Sequence, residues 1–303
     1  MAEIRPFRRE DAEAVLPLFR ELWSEEVVTA AGLLHWIESQ PERAAMQVWI
    51  AEERGEVVAF ANGRLRWALE EPGIAGLWVG VLPAHHGRGL GTALAELAEE
   101  HVLRRAARRL ESTVRESDEH GRAFATGRGY RETRREQYWS LAVDPRATAP
   151  TPPDGVRVVR LAEVLDGEQA LFELYDAAER DMPDDHVHTM EFEDWRRDTL
   201  ENPELDPDLS AVVLVGDEPA SFAWLISDRD GRRADNEMTG TAPAFRRRGL
   251  ARLAKEATIA WAAEAGIETI TTSNDTTNAD MLALNEHLGY RPTVVRIAVV
   301  RDV

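Results

Sequence analysis

The chain has 303 residues, no cysteine and a formal charge of −19 from 36 basic and 55 acidic side chains. That composition excludes disulfides, thiolate metal sites and a cysteine nucleophile, and its negative field disfavours nucleic acid and anionic lipid as partners. With no apolar run long enough for a bilayer and no signal h-region at the start, the sequence reads as a soluble, cytoplasmic protein.

Taken in chain order, a short strand at 3–7 precedes an amphipathic helix in which Ala14, Val15, Leu18, Phe19 and Leu22 recur at helical spacing. A hairpin follows, 49–52 and 57–65, turning at Arg54-Gly55-Glu56. The next strand, 73–82, runs into Pro83-Ala84-His85-His86-Gly87-Arg88-Gly89-Leu90-Gly91 and then a helix over 91–109. A strand at 110–114, a helix at 119–128 and Gly129-Tyr130-Arg131 complete this part. Residues 144–155, DPRATAPTPPDG, lack an apolar period and read as a semi-rigid linker.

The same order then repeats. A strand at 156–161 and a helix carrying Ala170, Leu171, Leu174 and Tyr175 lead to a hairpin, 211–215 and 220–226. A strand at 234–242 enters Pro243-Ala244-Phe245-Arg246-Arg247-Arg248-Gly249-Leu250-Ala251 and a helix over 251–265. A strand at 268–272 ends in Ser273-Asn274-Asp275, and a helix at 279–288 leads to Gly289-Tyr290-Arg291. Gly89 and Gly249 lie 160 positions apart, as do Pro83 and Pro243, Arg88 and Arg248, and the two Gly-Tyr-Arg triplets. A register kept that long indicates duplicated modules. The domains are expected at 1–144 and 156–303, joined by 145–155. Each is an α+β module, a mixed and mostly antiparallel sheet flanked by helices, and the two form an internal pseudo-dimer.

Both repeats place a strand, a proline and a glycine turn ahead of a helix. Unpaired N–H groups and the helix dipole make that N-terminus an anion site, and arginine adds charge-assisted bonds. Neither a Walker Gly-Lys-Ser/Thr nor a dinucleotide Gly-x-Gly-x-x-Gly is present. The turn instead resembles the acetyl-CoA loop of the GNAT superfamily of N-acetyltransferases, Arg/Gln-x-x-Gly-x-Gly/Ala. Arg246 to Ala251 matches it fully; His86, Gly87, Arg88, Gly89, Leu90 and Gly91 match apart from the first residue. The order of elements and the late Gly-Tyr agree twice, so the chain resembles a tandem GNAT protein. The resemblance implies two acyl-CoA N-acyltransferase folds with acetyl-CoA as co-substrate and no metal. It places cofactor contacts at Thr239, Gly240, Thr241, Arg246, Arg247, Arg248, Gly249, Leu250, Ala251, Asn274 and Asn278, and at His86, Gly87, Arg88, Gly89 and Gly91.

Acetyl transfer needs a base for the ammonium, donors for the oxyanion and a proton for the leaving thiolate. The resemblance puts the base on the strand before the loop. There the second repeat has Asp235, Asn236 and Glu237, the carboxylates sharing a face by strand alternation. The first has Ala75, Gly76 and Leu77 at the 160 offset. Asp118 stands where the second repeat has Asn278. Residues 1–150 carry a net −4 and 151–303 a net −15. All three contrasts assign catalysis to the second repeat and make the first degenerate. The family's proton-donating tyrosine is replaced by Ala125 and Asn285, which leaves Ser273, Asn285 or water for that step. An acidic stretch, Asp181, Asp184, Asp185, Glu191, Glu193 and Asp194 beside Trp195, suits a small cationic amine as acceptor. The alternatives are an acyl-CoA-binding regulatory or scaffold protein without turnover, and a mycothiol-synthase-like tandem acetyltransferase.

Overall fold

The computed structural model describes residues 2–180, 182–183 and 186–303. It divides into two compact units, one made of the chain up to Glu136 plus Val295–Val303, the other of Gln137–Val294.

In the first unit β1 (Glu3–Pro6), β2 (Gln47–Glu53), β3 (Glu56–Leu65), β4 (Ile74–Val81) and β5 (Arg109–Arg115) lie side by side in that order. Pairing is antiparallel as far as β4, and β4 meets β5 parallel over three residues, Ile74–Gly76 against Arg109–Glu111. The β2–β3 hairpin closes on Arg54 and Gly55, both at positive φ, a pair of left-handed residues that matches the strand twist. Helices α1 (Ala12–Leu22) and α2 (Ala30–Glu38) cover one apolar cluster, which includes Val15, Phe19, Leu33 and Phe60. Helix α3 (Leu90–Leu103) covers the other, with Leu94, Ala98 and Val102 on Ala59, Ala75 and Leu110. Helix α4 (Glu119–Gly127) follows, with the Asp118 carboxylate capping it at Gly121 N, 2.9 Å.

The last strand of this sheet is the C-terminal end of the chain. In β12 (Arg291–Asp302), residues 296–302 pair antiparallel with β5, and Ile297 and Val299 enter the core of the first unit. Strand β6 (Arg131–Ala142) has its second half, from Gln137, in the other unit, where Trp139 and Leu141 are core residues. The sequence places each closing strand in its own repeat. An alternating apolar strand reads the same whichever sheet edge it completes, so only the tertiary pairing reveals the exchange.

The second unit repeats the plan with β7 (Val156–Arg160), α5 (Glu168–Glu179), α6 (Phe192–Trp195), β8 (Ala211–Val215), β9 (Glu218–Asp228), β10 (Arg233–Thr241), α7 (Leu250–Glu264), β11 (Thr269–Asp275) and α8 (Ala279–His287). Its strand order is β6-β11-β10-β9-β8-β7. Helix α7 covers Ala223, Leu225, Ala234 and Ile270. Helices α5 and α6 cover an aromatic cluster of Trp195, Phe222 and Trp224. Helix α3 stops six residues before the expected end at 109, because Ala106 turns left-handed (φ 63°) and Ala107 N bonds back to Val102 O. The second unit makes the same stop with Gly266.

Candidate active site

The two glycine turns follow the same local plan. Each follows a single 3-10 turn, Pro83–His85 or Pro243–Phe245, and each caps its helix with a left-handed glycine, Gly89 (φ 81°) or Gly249 (φ 75°). A second positive φ falls on Gly87 (72°) in the first turn and on Arg247 (60°) in the second. His86 Nε2 contacts Val81 O at 2.8 Å, and Arg246 Nε donates to Thr241 O at 3.2 Å, which braces both loops alike. Nothing lies within 4 Å of a Cβ placed on Gly87, Gly89 or Gly249, so both backbones face open space. Gly91, one residue into α3, sits against Val81 and Phe124.

Charge separates them. In the first turn Arg88 Nη1 donates to Glu53 Oε2 at 3.1 Å, His85 Nδ1 lies 3.2 Å from the same oxygen, and Arg88 Nη2 donates to Ala84 O. The charged side chains of the first turn are therefore engaged by a carboxylate of the same unit. The second has Val215 and Phe245 in those places, both packed against the core. Arg248 lies 5.3 Å over the Phe245 ring, and neither it nor Arg247 has an ion-pair partner among the described residues. Both guanidiniums are exposed beside a turn whose glycine backbone faces open space.

Strand β10 brings the candidate chemistry together. Its pairing with β9 shifts between Asn236 and Met238, so Glu237 is the extra residue of a β-bulge. Strand β4 pairs with β3 without interruption. Matched through their β5 and β11 partners, Asp235 corresponds to Gly76 and Asn236 to Leu77, while Glu237 has no counterpart. This corrects the match of Ala75, Gly76 and Leu77 to residues 235–237. The bulge also interrupts the two-residue period from which a shared face was expected. Asp235 is half-buried and accepts the Thr271 hydroxyl; Glu237 is exposed. Burial and the Glu179, Glu237 and Asp198 charges push the Tyr175 phenol well above its ordinary range. These groups come from α5, the bulge and a π-helical turn, Arg196–Leu200.

Ladder pairing between β10 and β11 ends at Asp235 and Thr271, although both strands continue. Thr239 Oγ1 donates to Asn236 Oδ1 at 3.1 Å, and Thr241 Oγ1 lies 2.8 Å from Ser221 Oγ. A Cβ on Gly240 would stand 2.4 Å from Ala178 and 2.7 Å from Phe222, so this glycine answers to packing. Leu250 is buried, and Ala251 opens the first turn of α7. Asn278, expected at the cofactor, caps α8 by accepting from Met281 N at 3.3 Å, the place Asp118 holds in the first unit. Ser273 is half-buried on β11. Asn285 is fully buried with both amide ends engaged, its Oδ1 by Lys255 Nζ at 2.8 Å and its Nδ2 by Asn274 Oδ1 at 2.6 Å. An amide held that way carries no proton to give a thiolate.

Of the acidic stretch, Asp181, Asp184 and Asp185 lie outside the described residues. Asp194 pairs with Arg197, and Trp195 is wholly buried among Phe172, Tyr175 and Trp224, so it is a core residue.

Lys255, not among the expected site residues, is wholly buried beside Asn285. Burial lowers its ammonium to about 7 against the opposing Asp235 charge, and it lies 4.9 Å from the centroid of the Tyr290 ring. Two signals marked it in the sequence: it is the only lysine in the chain, and it lies on an apolar helix face.

A model of the acetyltransferase (GNAT) family matches residues 10–130 and again 169–290. Among solved structures, a tandem GNAT protein from the clavulanic acid biosynthesis pathway superimposes with a TM-score of 0.76. It is 19% identical, over 100% of this chain and 98% of that one. A GCN5-related N-acetyltransferase from Sphaerobacter thermophilus gives 0.75 at 19% identity, over 99% and 95%. A putative acetyltransferase from Pyrococcus horikoshii gives 0.60 at 14%, over 100% and 89%. At these identities the likeness is one of fold. No curated protein matches the chain.

Proposed function

The chain belongs to the acetyltransferase (GNAT) family, with two GNAT domains, and on that premise we propose that its second unit transfers an acetyl group from acetyl-CoA to a small cationic amine. The observation that carries this reading is the contrast between the cradles. Arg247 and Arg248, which flank Gly249 in sequence, have no ion-pair partner among the described residues, while Glu53 pairs with Arg88 in the first. Arg247 also holds a left-handed backbone that costs about 1–2 kcal/mol for an L-residue, where the first copy uses glycine. Such strain is retained where a site needs it.

In this reading the CoA pyrophosphate lies on Arg246 to Ala251 and the pantetheine arm follows β11. Glu237, exposed on the bulge, takes the proton of the amine, while Asp235 stays held by Thr271. The amine nitrogen attacks the thioester carbon, the C–S bond breaks, and the nitrogen's second proton passes through water to the departing thiolate. Glu179, Glu237 and Asp198 around Tyr175 favour a cationic acceptor. We place the protein in the cytoplasm.

Isothermal titration calorimetry should show one acetyl-CoA per chain, and the double variant Arg247→Ala/Arg248→Ala should bind at least tenfold more weakly. A panel of amines, with CoA release read by a thiol reagent, then tests turnover, and Glu237→Gln should lose about 10²–10⁴ in rate. Absence of acetyl-CoA binding by the wild-type chain refutes the reading. Binding with no CoA release from any amine returns the protein to the class of acyl-CoA-binding modules without turnover.

A further inference from the structure

A wholly buried lysine in the second unit has no evident packing purpose. Lys255 is 0% exposed on α7, with Asn285 from α8 as its hydrogen-bond partner. A methionine of similar length would fill the space without the cost of desolvating a charge. What the ammonium adds is direction. It has three donors and no acceptor, so the Asn285 amide must turn Oδ1 toward it. Asn285 Nδ2 is then committed to Asn274 Oδ1, and Asn274 in turn must aim its own Nδ2 hydrogens elsewhere. Asn274 Nδ2 has no partner among the described residues, and the side chain is half-buried. It sits on β11 beyond the last rung shared with β10, at the end where β10 runs on into the second cradle.

The first unit has none of this. At the 160 offset Lys255, Asn274 and Asn285 become Ala95, Val114 and Ala125, all in or against its apolar core. Tyr130 there donates to Glu99 at 3.1 Å, whereas Ile259 stands at that place beside Tyr290, whose buried hydroxyl has no partner among the described residues. The polar chain and the unpaired cradle thus occur in the same unit.

We propose that Lys255 is a positioning residue for acyl transfer: acting through Asn285, it holds the Asn274 amide with its N–H donors turned into the gap between β10 and β11, where they meet an oxygen of the acyl donor's pantetheine arm. This rests on the reading of the second unit as the acyl-CoA site. The titratable groups that act on Lys255 are Asp235 on β10 and, from the Gly-Tyr turn, the Tyr290 phenol, which burial and the Asp235 charge hold above its ordinary range.

A double-mutant cycle on acetyl-CoA affinity, read by calorimetry, tests it. Lys255→Met and Asn274→Ala should each weaken acetyl-CoA about tenfold, and the double variant should be no weaker than Asn274→Ala alone. Adenosine 3′,5′-bisphosphate, which lacks the arm, should bind all four proteins alike. Additive losses, or equal weakening of both ligands, overturn the proposal. A second measurement needs no variant to fold. In ¹⁵N spectra of the wild-type chain the side-chain amides of Asn274 and Asn285 should shift together as Lys255 titrates; amides that ignore pH overturn the coupling. Failure of the wild-type chain to bind acetyl-CoA at all would instead remove the functional reading, with the amide titration still reporting on the relay.

Discussion

Replacing Lys255 by methionine should change how stability depends on pH, and the size follows from burial. An unfolded lysine titrates at 10.5, and in the folded chain Lys255 titrates at about 7. The folded state therefore binds fewer protons than the unfolded state between those values, so stability rises with pH across that window. The contribution is complete above 10.5 and is lost as pH falls toward 7, where the penalty nears its limit of about 5 kcal/mol (about 1.4 kcal/mol per pH unit). Between pH 7 and pH 9 the wild-type chain should gain about 2 kcal/mol that Lys255→Met does not. Methionine also leaves Asn285 Oδ1 unpaired, which costs about 1–3 kcal/mol at every pH and cancels in the comparison of slopes. Urea unfolding of both proteins at pH 7, 8 and 9, followed by circular dichroism, measures the difference. Equal slopes in the two proteins would refute the assignment of Lys255 as a desolvated ammonium.

Three further outcomes follow from particular contacts. Glu53→Val removes the carboxylate from Arg88 and His85, and calorimetry should then detect a second, weaker acetyl-CoA site per chain; unchanged stoichiometry would show that Glu53 is not what closes the first cradle. Ala106→Gly relieves a left-handed alanine at the end of α3 and should raise stability by about 1 kcal/mol in urea, to be compared with Gly266→Ala, which should lower it by as much. Glu99 is buried between Arg128 and Arg301 and accepts the Tyr130 hydroxyl. Burial works to raise its carboxyl, and the hydrogen bonds and charges of the two arginines outweigh it, holding the carboxyl below its usual range. Glu99→Gln should destabilise the first unit by about 3–5 kcal/mol at pH 7, and the difference should shrink as pH falls below the unfolded carboxyl range, where the native charge is lost.

Local chemistry made the two glycine turns legible. Proline, glycine and arginine at fixed offsets define a turn whose backbone cannot take many other shapes, and both turns carry left-handed glycines. The Glu237 bulge escaped because one inserted residue leaves the downstream 160 register intact and is silent until the strands pair. The Glu53–Arg88 contact escaped because 35 positions separate its partners and nothing local links them. Asn285 stood out by its place in the last helix, yet its burial between two other side chains altered what it can do.

The amino-acid order alone determined the duplication, the α+β class and the two glycine turns, since periodicity and turn stereochemistry act over a few residues and need no distant partner. Tertiary structure alone decided that the final strand completes the first sheet, that the arginine of one turn is paired with a glutamate, and that the lone lysine is sealed in the core. Edge pairing, charge neutralisation and burial are properties of what a residue meets in space, and chain order does not carry them.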